Sequence, residues 1–493
     1  MSTVPVPHCR AMRLLSLCAI SAATLLLAAC TTVGPDYKQP DDAIAARPEA
    51  AAPFEGTRSS RRSSDAPSAQ PYSQDPLPPH WWRLYNDPLL DRLVEQALAS
   101  NTDLRQAAAN LERVEALETE VNGASKPVIG VNGGPSYGHV SGLSLLQPGY
   151  QPPNAFHYSL GGAVSYQIDL FGQLRRASEA AHATTESASA ALDLVRVSVA
   201  AGTARAYADV CSLGLRLQSA RKSAELQQEA VDASQRLQQA GRVSSIDVSR
   251  AKSQAQQLFA ALPPLQAQRE GAVYRLAVLT GTPPQGFSRE VTECVAPPQV
   301  AGAVPVGDGA EMLRRRPDIR QAERELAAST ARIGVAVADR YPKITLGLAA
   351  SSVGPANDFG HQDTFAWSLG PLISWTLPNN GIVDARIAQA EAGTRMAAAK
   401  FDGTVLTALR ETETALSAYA HELDRHASLR ASRDEASTVA EQARRMYQSG
   451  KVGYLDALDA ERSLASSEAA LATSDADLVT DQVTLFLALG GGW

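Results

Sequence analysis

Two stretches of the chain alternate strictly between large apolar side chains and small or polar ones. From Phe156, one set of alternate positions reads Phe156, Tyr158, Leu160, Gly162, Val164, Tyr166 and Ile168. The interleaved set reads His157, Ser159, Gly161, Ala163, Ser165, Gln167 and Asp169. The pattern returns as Phe365, Trp367, Leu369, Pro371, Ile373, Trp375 and Leu377 against Ala366, Ser368, Gly370, Leu372, Ser374 and Thr376. A period of two is that of a strand, whose successive side chains point to opposite faces. A shorter strand precedes each, at Ile129 to Val131 and at Ile344, Leu346 and Leu348, joined through Gly/Pro-rich loops at 138–154 and 351–364. In a soluble half-buried sheet the large residues would face a core and the polar ones water. The long strands instead exceed the ~9 to 11 residues a tilted membrane strand needs, with aromatics near both ends, where membrane girdles lie.

Elsewhere the period is helical. Neither Gln173 to Ala240 nor Ile382 to Ser449 contains a proline, so each stretch offers 68 residues of potential helix. At ~1.5 Å per residue each reaches ~100 Å. Heptad-like apolar seams run through Leu226, Ala230, Ala233 and Leu237, and through Ala436, Ala440, Ala443 and Tyr447. A further seam at Leu213, Leu217, Ala220, Ala224 and Val231 implies a helix packed on two sides, like a stave of a cylinder. Gly241 and Gly450 should stop the long helices, and new ones should start near Asp247 and Asp456. The intervening turns are Arg242-Val243-Ser244-Ser245-Ile246 and Lys451-Val452-Gly453-Tyr454-Leu455. Shorter helices begin at the Asp87-Pro88 cap and after Asn101.

The chain also matches itself. Asp103-Leu104-Arg105-Gln106 recurs as Asp318-Ile319-Arg320-Gln321, and Leu160, Gly172, Arg236, Gly241, Asp247 and Gly281 recur as Leu369, Gly381, Arg445, Gly450, Asp456 and Gly490. The second group shares one spacing of 209 residues. Such agreement reads as an internal duplication, with units at 80–281 and 307–493 and a Pro/Gly-rich connector at 282–306. Two units supply four strands, yet a sheet in lipid must leave no unpaired edge and known barrels have at least about eight strands. The barrel must therefore be assembled from several copies: two would give eight strands and three would give twelve.

Composition narrows the class. The chain has 493 residues, 44% hydrophobic but only 5% aromatic, a bias that suits long helices packed through small side chains. A net charge of −7 gives no electrostatic case for nucleic acid as a partner. Beyond the first thirty residues no apolar run approaches the ~18 to 20 residues of a spanning helix, which excludes a helical membrane transporter but not a barrel.

At the N-terminus, Arg10 and Arg13 precede an uncharged run from Leu14 to Ala29, the order of a secretory signal. The run ends Leu27-Ala28-Ala29-Cys30, which looks like a bacterial lipobox, so residues 1–29 read as a lipoprotein signal and Cys30 as the acylated first residue of the mature chain. Residues 30–79, rich in Pro, Ala and Ser, read as an extended or flexible tether. Cys211 and Cys294 read as small buried thiols, with a disulfide between them left open.

Specific motifs accompany this organisation: Thr32-Val33-Gly34-Pro35-Asp36-Tyr37, Trp81-Trp82, Asp87-Pro88-Leu89-Leu90, Asn101-Thr102-Asp103-Leu104, Asp169-Leu170-Phe171-Gly172 and Arg315-Arg316-Pro317-Asp318-Ile319. Together they make the chain resemble the outer-membrane factor family, the TolC-like and NodT-like exit ducts of tripartite efflux and type I secretion. Leu377-Pro378-Asn379-Asn380-Gly381 departs from the family, whose members more often carry an aromatic residue there.

The resemblance implies a mainly α fold with a membrane β-barrel portion: a homotrimer with a 12-stranded barrel and a long periplasmic α-helical barrel. It implies an outer-membrane location, Thr31 fitting the usual sorting pattern, and as partners a periplasmic adaptor, an inner-membrane pump and outer-membrane lipid. By the same resemblance, Arg242, Val243 and Ser244 with Val452 and Gly453 become adaptor-contact tips. Asp456 and Asp459, with Asp247 at the matching place in the first unit, become the pore entrance. Positions i and i+3 share a helix face, and threefold symmetry would turn each acid into a ring whose mutual repulsion needs compensating cations, for which Arg242 and Lys451 are near in sequence. The plainer alternative for Asp456 is a helix start at the positive dipole end.

No enzyme is read. His421-Glu422-Leu423-Asp424-Arg425-His426 resembles a zincin motif but sets its second His one position too far to share a face with the first. There is no P-loop, no Gly-x-Ser-x-Gly elbow and no Cys/His cluster for a metal, and no cofactor is expected. The function expected is an exit duct passing small toxic compounds. A protein-secretion duct and a pore-free lipid-anchored coiled-coil scaffold are the alternatives.

Overall fold

The computed structural model describes residues 32–59, 71–139, 141, 143, 148–287, 289–300, 302–377 and 380–491. Cys30 and the signal segment, and Pro378 and Asn379 of the departure noted above, lie outside the described residues. In chain order the principal elements are β1 (Tyr72–Ser73), α1 (Pro88–Ser100), α2 (Thr102–Gly123), β2 (Val128–Gly138), β3 (Ala155–Ile168), α3 (Gln173–Gln239), α4 (Ser245–Ala260) and α5 (Leu262–Thr280). They continue with β4 (Val304–Pro305), α6 (Gly309–Arg315), α7 (Pro317–Ala338), β5 (Lys343–Pro355), β6 (Phe365–Ser374), α8 (Ile382–Gln448) and α9 (Tyr454–Ala488). The order helix, strand, strand, helix occurs twice with matching lengths: α2 and α7 have 22 residues each, α3 and α8 have 67 each.

Contacts divide the chain into two compact units. The first takes the described parts of 1–39, 112–187 and 323–399, and the second those of 40–111, 188–322 and 400–493.

The first unit holds an antiparallel sheet in the order β2-β3-β5-β6. Directly opposed residues share a face, so the register shows what each face carries. One row runs Ile129, Val164, Leu348, Leu369; the neighbouring row runs Gly130, Ala163, Ala349, Ser368. The first face therefore stays large and apolar across all four strands while the other stays small. The apolar face is uncovered: Ile129 is 73% exposed, Leu369 63% and Trp367 69%. β2 and β5 run further than the sequence pattern suggested, through Gly138 and Pro355, over residues read above as loop. Gly130, Gly133, Gly134 and Pro135 mask the strand signal in β2, but pairing with β3 keeps the backbone extended. β6 ends earlier, at Ser374, and the Trp375 indole beyond it donates to the Arg340 carbonyl at 3.2 Å.

In the second unit the motifs find structural work. Asp87 Oδ1 accepts from Leu89 N and Leu90 N, capping α1, and Asn101 Oδ1 accepts from Asp103 N and Leu104 N at the start of α2. Trp81 and Trp82 are buried, with the Trp81 ring 4.8 Å from that of Phe486. Arg316 bonds Asp318 and Glu411 and donates to the Ala488 carbonyl at 2.7 Å, tying α7 and α8 to the end of α9. The described part of the stretch read as a tether carries short helical turns at Ile44–Ala46, Pro48–Ala51 and Glu55–Ser59 and is seated: Ala43, Ala50, Phe54 and Tyr72 are buried, and β1 pairs with β4.

Cys211 and Cys294 correct the reading of two thiols, for they form a disulfide. Gly214, one turn beyond Cys211, lets the connector backbone close on α3; a Cβ there would lie 2.0 Å from the Cys294 carbonyl oxygen.

Candidate functional site

The long helices end as their glycines require. Gly241 has φ 75° and Gly450 φ 72°, left-handed values that glycine adopts without penalty. At the first, Arg242 N donates to Leu237 O; at the second, Lys451 N donates to Met446 O, both at 2.9 Å. These six-to-one bonds close the same C-terminal motif twice. The chain then reverses and restarts as α4 and α9 in the second unit.

Both restarts are capped by the acids singled out in the sequence. Ser244 Oγ accepts from Asp247 N, and Asp247 Oδ2 accepts from Ser244 N, a capping box. Asp456 Oδ2 accepts from Gly453 N at 3.1 Å. Gly453 has no side chain to return the bond, so only that arm exists. Bonds from the Ser244 side chain and backbone, with Arg250 nearby, hold the Asp247 carboxyl below the usual carboxylate range. Arg250 lies 3.7 Å from Asp247, and Arg242 and Lys451 form no ion pair among the described residues. Asp459 lies one turn past Asp456, exposed and outside the cap.

The two turns meet. Arg242, Val243, Ser244 and Asp247 line one open hollow of about 600 Å³ with Gly453, Tyr454, Leu455 and Asp456. Val452 and Asp459 are not in that lining. Beneath it, Val231 of α3, Ala251 and Ala255 of α4, and Tyr454 and Leu458 of α9 form one apolar cluster, with Tyr447 of α8 packed on it. The Tyr447 and Tyr454 rings sit edge to face at 5.7 Å. Gln227 Nε2 donates to the Tyr454 hydroxyl and the Ala251 carbonyl, each at 3.3 Å. Arg444 donates twice to Glu461 Oε1, at 2.8 and 2.6 Å, joining α8 to α9 across the turn. Arg462 donates to Gln254 Oε1 at 2.9 Å, joining α9 to α4.

Sequence reasoning did not single out Gln227. The signal was present: Leu213, Leu217, Ala220, Ala224 and Val231 leave a heptad place at 227, and a polar residue on an apolar seam marks a specific contact. It also passed over the acids further along α9. Asp481 is raised to about 6 by burial, then by Glu422 and Asp477. The zincin-like stretch is engaged with α9, His426 Nε2 lying 2.7 Å from Asp475 Oδ1 and Glu422 receiving the Ser474 hydroxyl.

The arrangement can hold two helical turns in fixed relation and present acids and an apolar rim, Ile246 and Leu455, to a partner.

Comparison with known proteins agrees with the geometry. The family model described as outer membrane efflux protein matches residues 93–282 and 310–491. Nodulation protein T of Rhizobium leguminosarum bv. viciae is 28% identical over 469 residues, covering 95% of this chain and 92% of that protein. The probable efflux pump outer membrane protein TtgC of Pseudomonas putida is 29% identical over 486 residues, covering 97% and 96%. Among solved structures, the outer-membrane channel OprN superposes with a TM-score of 0.84 at 36% identity, covering 94% of this chain and all of that one.

Proposed function

The chain belongs to the outer membrane efflux protein family, and from that premise we propose that it is the outer-membrane exit duct of a tripartite efflux system. One observation carries the reading. Among the described residues the sheet keeps an uncovered apolar face across four strands while β2 and β6 each have one unpaired edge. In lipid such edges must be paired, and more copies of the same chain supply the pairing.

Three copies would close twelve strands into one barrel, and their long helices would form the periplasmic α-helical barrel. The matching element orders support an internal duplication of units 80–281 and 307–493 about the 282–306 connector. Residues 1–29 act as signal, and acylated Cys30 tethers the protein to the outer membrane. Conduction is passive, driven by an inner-membrane pump. A periplasmic adaptor engages Arg242, Val243, Ser244, Val452 and Gly453, while Asp456, Asp459 and Asp247 bias the entrance toward cations. Export of drugs or other small toxic compounds fits the efflux names of the relatives.

Extraction tests the proposal. A heat-modifiable oligomer of three chains that stays soluble only in detergent supports the duct. A chain that becomes water-soluble once its acyl group is removed would make it a pore-free scaffold.

A further inference from the structure

We propose that Arg176 is a positioning residue for the lipid anchor. It locks the strap leading from Cys30 onto the foot of the sheet, so that the acyl chain and the strands meet the membrane at a fixed spacing. The inference rests on the anchor reading given above.

The strap is Thr32 to Tyr37, within the first unit. Arg176 lies in the first turn of α3 with its side chain 3% exposed. Its Nε donates to the Val33 carbonyl at 3.0 Å, and its Nη2 donates to the Gly34 carbonyl at 3.1 Å and to Asp36 Oδ1 at 2.7 Å. Nη1 donates to Glu179 Oε2 at 2.7 Å, which orients the guanidinium from its own helix. A rigid planar fork can serve these acceptors together; an ammonium on a flexible stem cannot. Val33 N donates to the Phe171 carbonyl at 3.1 Å, and Arg175 Nη1 donates to Thr32 Oγ1 at 3.0 Å. Further on, the Tyr37 hydroxyl donates to Glu323 at 3.3 Å and its ring lies under Arg324.

Close approach makes the seat specific. A Cβ on Gly34 would stand 2.4 Å from the Cα of Gly334 on α7, and one on Gly172 would stand 2.5 Å from Thr32 Cγ2. The strap is thus laid against two backbones in a slot that only glycines leave open.

The slot lies at one end of the sheet. β3 ends at Ile168 and α3 begins at Gln173. Here the Phe171 and Tyr341 rings stack at 4.4 Å, and Trp375 bonds the Arg340 carbonyl, an aromatic group of the kind that marks a membrane interface. Cys30 precedes Thr32 by two residues, a length of chain of at most about 7 Å. Its acyl chains would then emerge beside the aromatic end of the apolar face. A single acyl-anchored tether on a loose strap would leave sheet and anchor at many spacings; a seated strap raises the effective concentration of the strands at the bilayer.

A double-mutant cycle on the full chain tests this. Arg176→Gln is made in the acylated chain and in a Cys30→Ala chain exported by an ordinary signal. The readouts are the heat-resistant oligomer recovered from outer membranes, the mass of the mature N-terminal peptide, and the mobility of a spin label at Lys38→Cys. Expected are a mobile label and a several-fold loss of oligomer in the acylated chain, with no further loss in the Cys30→Ala chain. Gly34→Val, which wedges the strap from Gly334 without removing charge, should reproduce both. Equal losses in the two backgrounds, or none in either, would overturn the proposal while leaving an acylated Cys30 intact. An unmodified Cys30 would overturn the anchor reading, and the proposal with it.

Discussion

Cys211 of α3 and Cys294 of the connector are bonded across 83 residues of chain. Arg269 Nη2 donates to the Cys294 carbonyl at 2.9 Å, so the connector is held to α3 covalently and to α5 by a charged hydrogen bond. A crosslink closing a loop of this length restricts the unfolded chain by up to about 4.5 kcal/mol. Replacing both cysteines with serine should therefore lower the midpoint of thermal unfolding by several degrees. Reductant should bring the parent chain down to the variant and leave the variant unchanged. A parent chain indifferent to reductant would show that the two thiols are free.

The acids at the second turn differ in what they hold. Asp456 caps α9 through Gly453 N, whereas Asp459 stands clear of the cap. Asp456→Ala should cost about 1 kcal/mol of helix-end stability as well as reduce cation preference, and Asp459→Ala should reduce cation preference alone. Hydrogen exchange at the start of α9 separates the two effects, since only the first variant should exchange faster there. Equal exchange in both variants would mean that Asp456 is no cap.

The sheet offers a paired comparison in adjacent residues. Leu369 lies on the apolar row with Leu348, and Ser368 on the small row with Ala349. A carboxylate facing lipid costs roughly 2 kcal/mol near mid-membrane, so Leu369→Asp should sharply reduce membrane-inserted oligomer, while Ser368→Asp should be nearly silent. Comparable losses at both positions would mean that neither face meets lipid.

Asp481 gives the protein a predictable response to pH. Its carboxyl is raised to about 6 from the ordinary 3.8, first by burial and then by Glu422 of α8 and Asp477 of α9, with Arg205 of α3 opposing. The Tyr72 hydroxyl in turn feels the charge of Asp481. A raised value means that folding favours the proton, so this stabilisation is full below about pH 4 and is lost as pH rises through about 6. After allowance for solvent screening, Asp481→Asn should gain on the order of 1 kcal/mol at pH 8. Thermal unfolding at pH 5 and pH 8 checks it: the gain should shrink at the lower pH.

Much of this architecture was legible because its signals are periodic. Alternation from Phe156 and Phe365 located β3 and β6, and the proline-free stretches located α3 and α8 to within a residue. Gly241 and Gly450 marked the turns. What escaped was non-local. Glycines in β2 weakened its strand signal until pairing with β3 restored it. The seated strap depends on Gly34 meeting Gly334, 300 positions away in sequence. The pairing of Arg250 with Asp247, at i+3 on one helix face, is by contrast local and was open to reading from the sequence.

The central claim is that several copies of this chain form one water-filled path through a membrane. Recording currents from the purified, detergent-solubilised oligomer in planar bilayers tests it most directly. The account predicts discrete cation-preferring steps that grow when Asp456 and Asp459 are replaced by alanine. Bilayers that stay silent after the oligomer has inserted would contradict it.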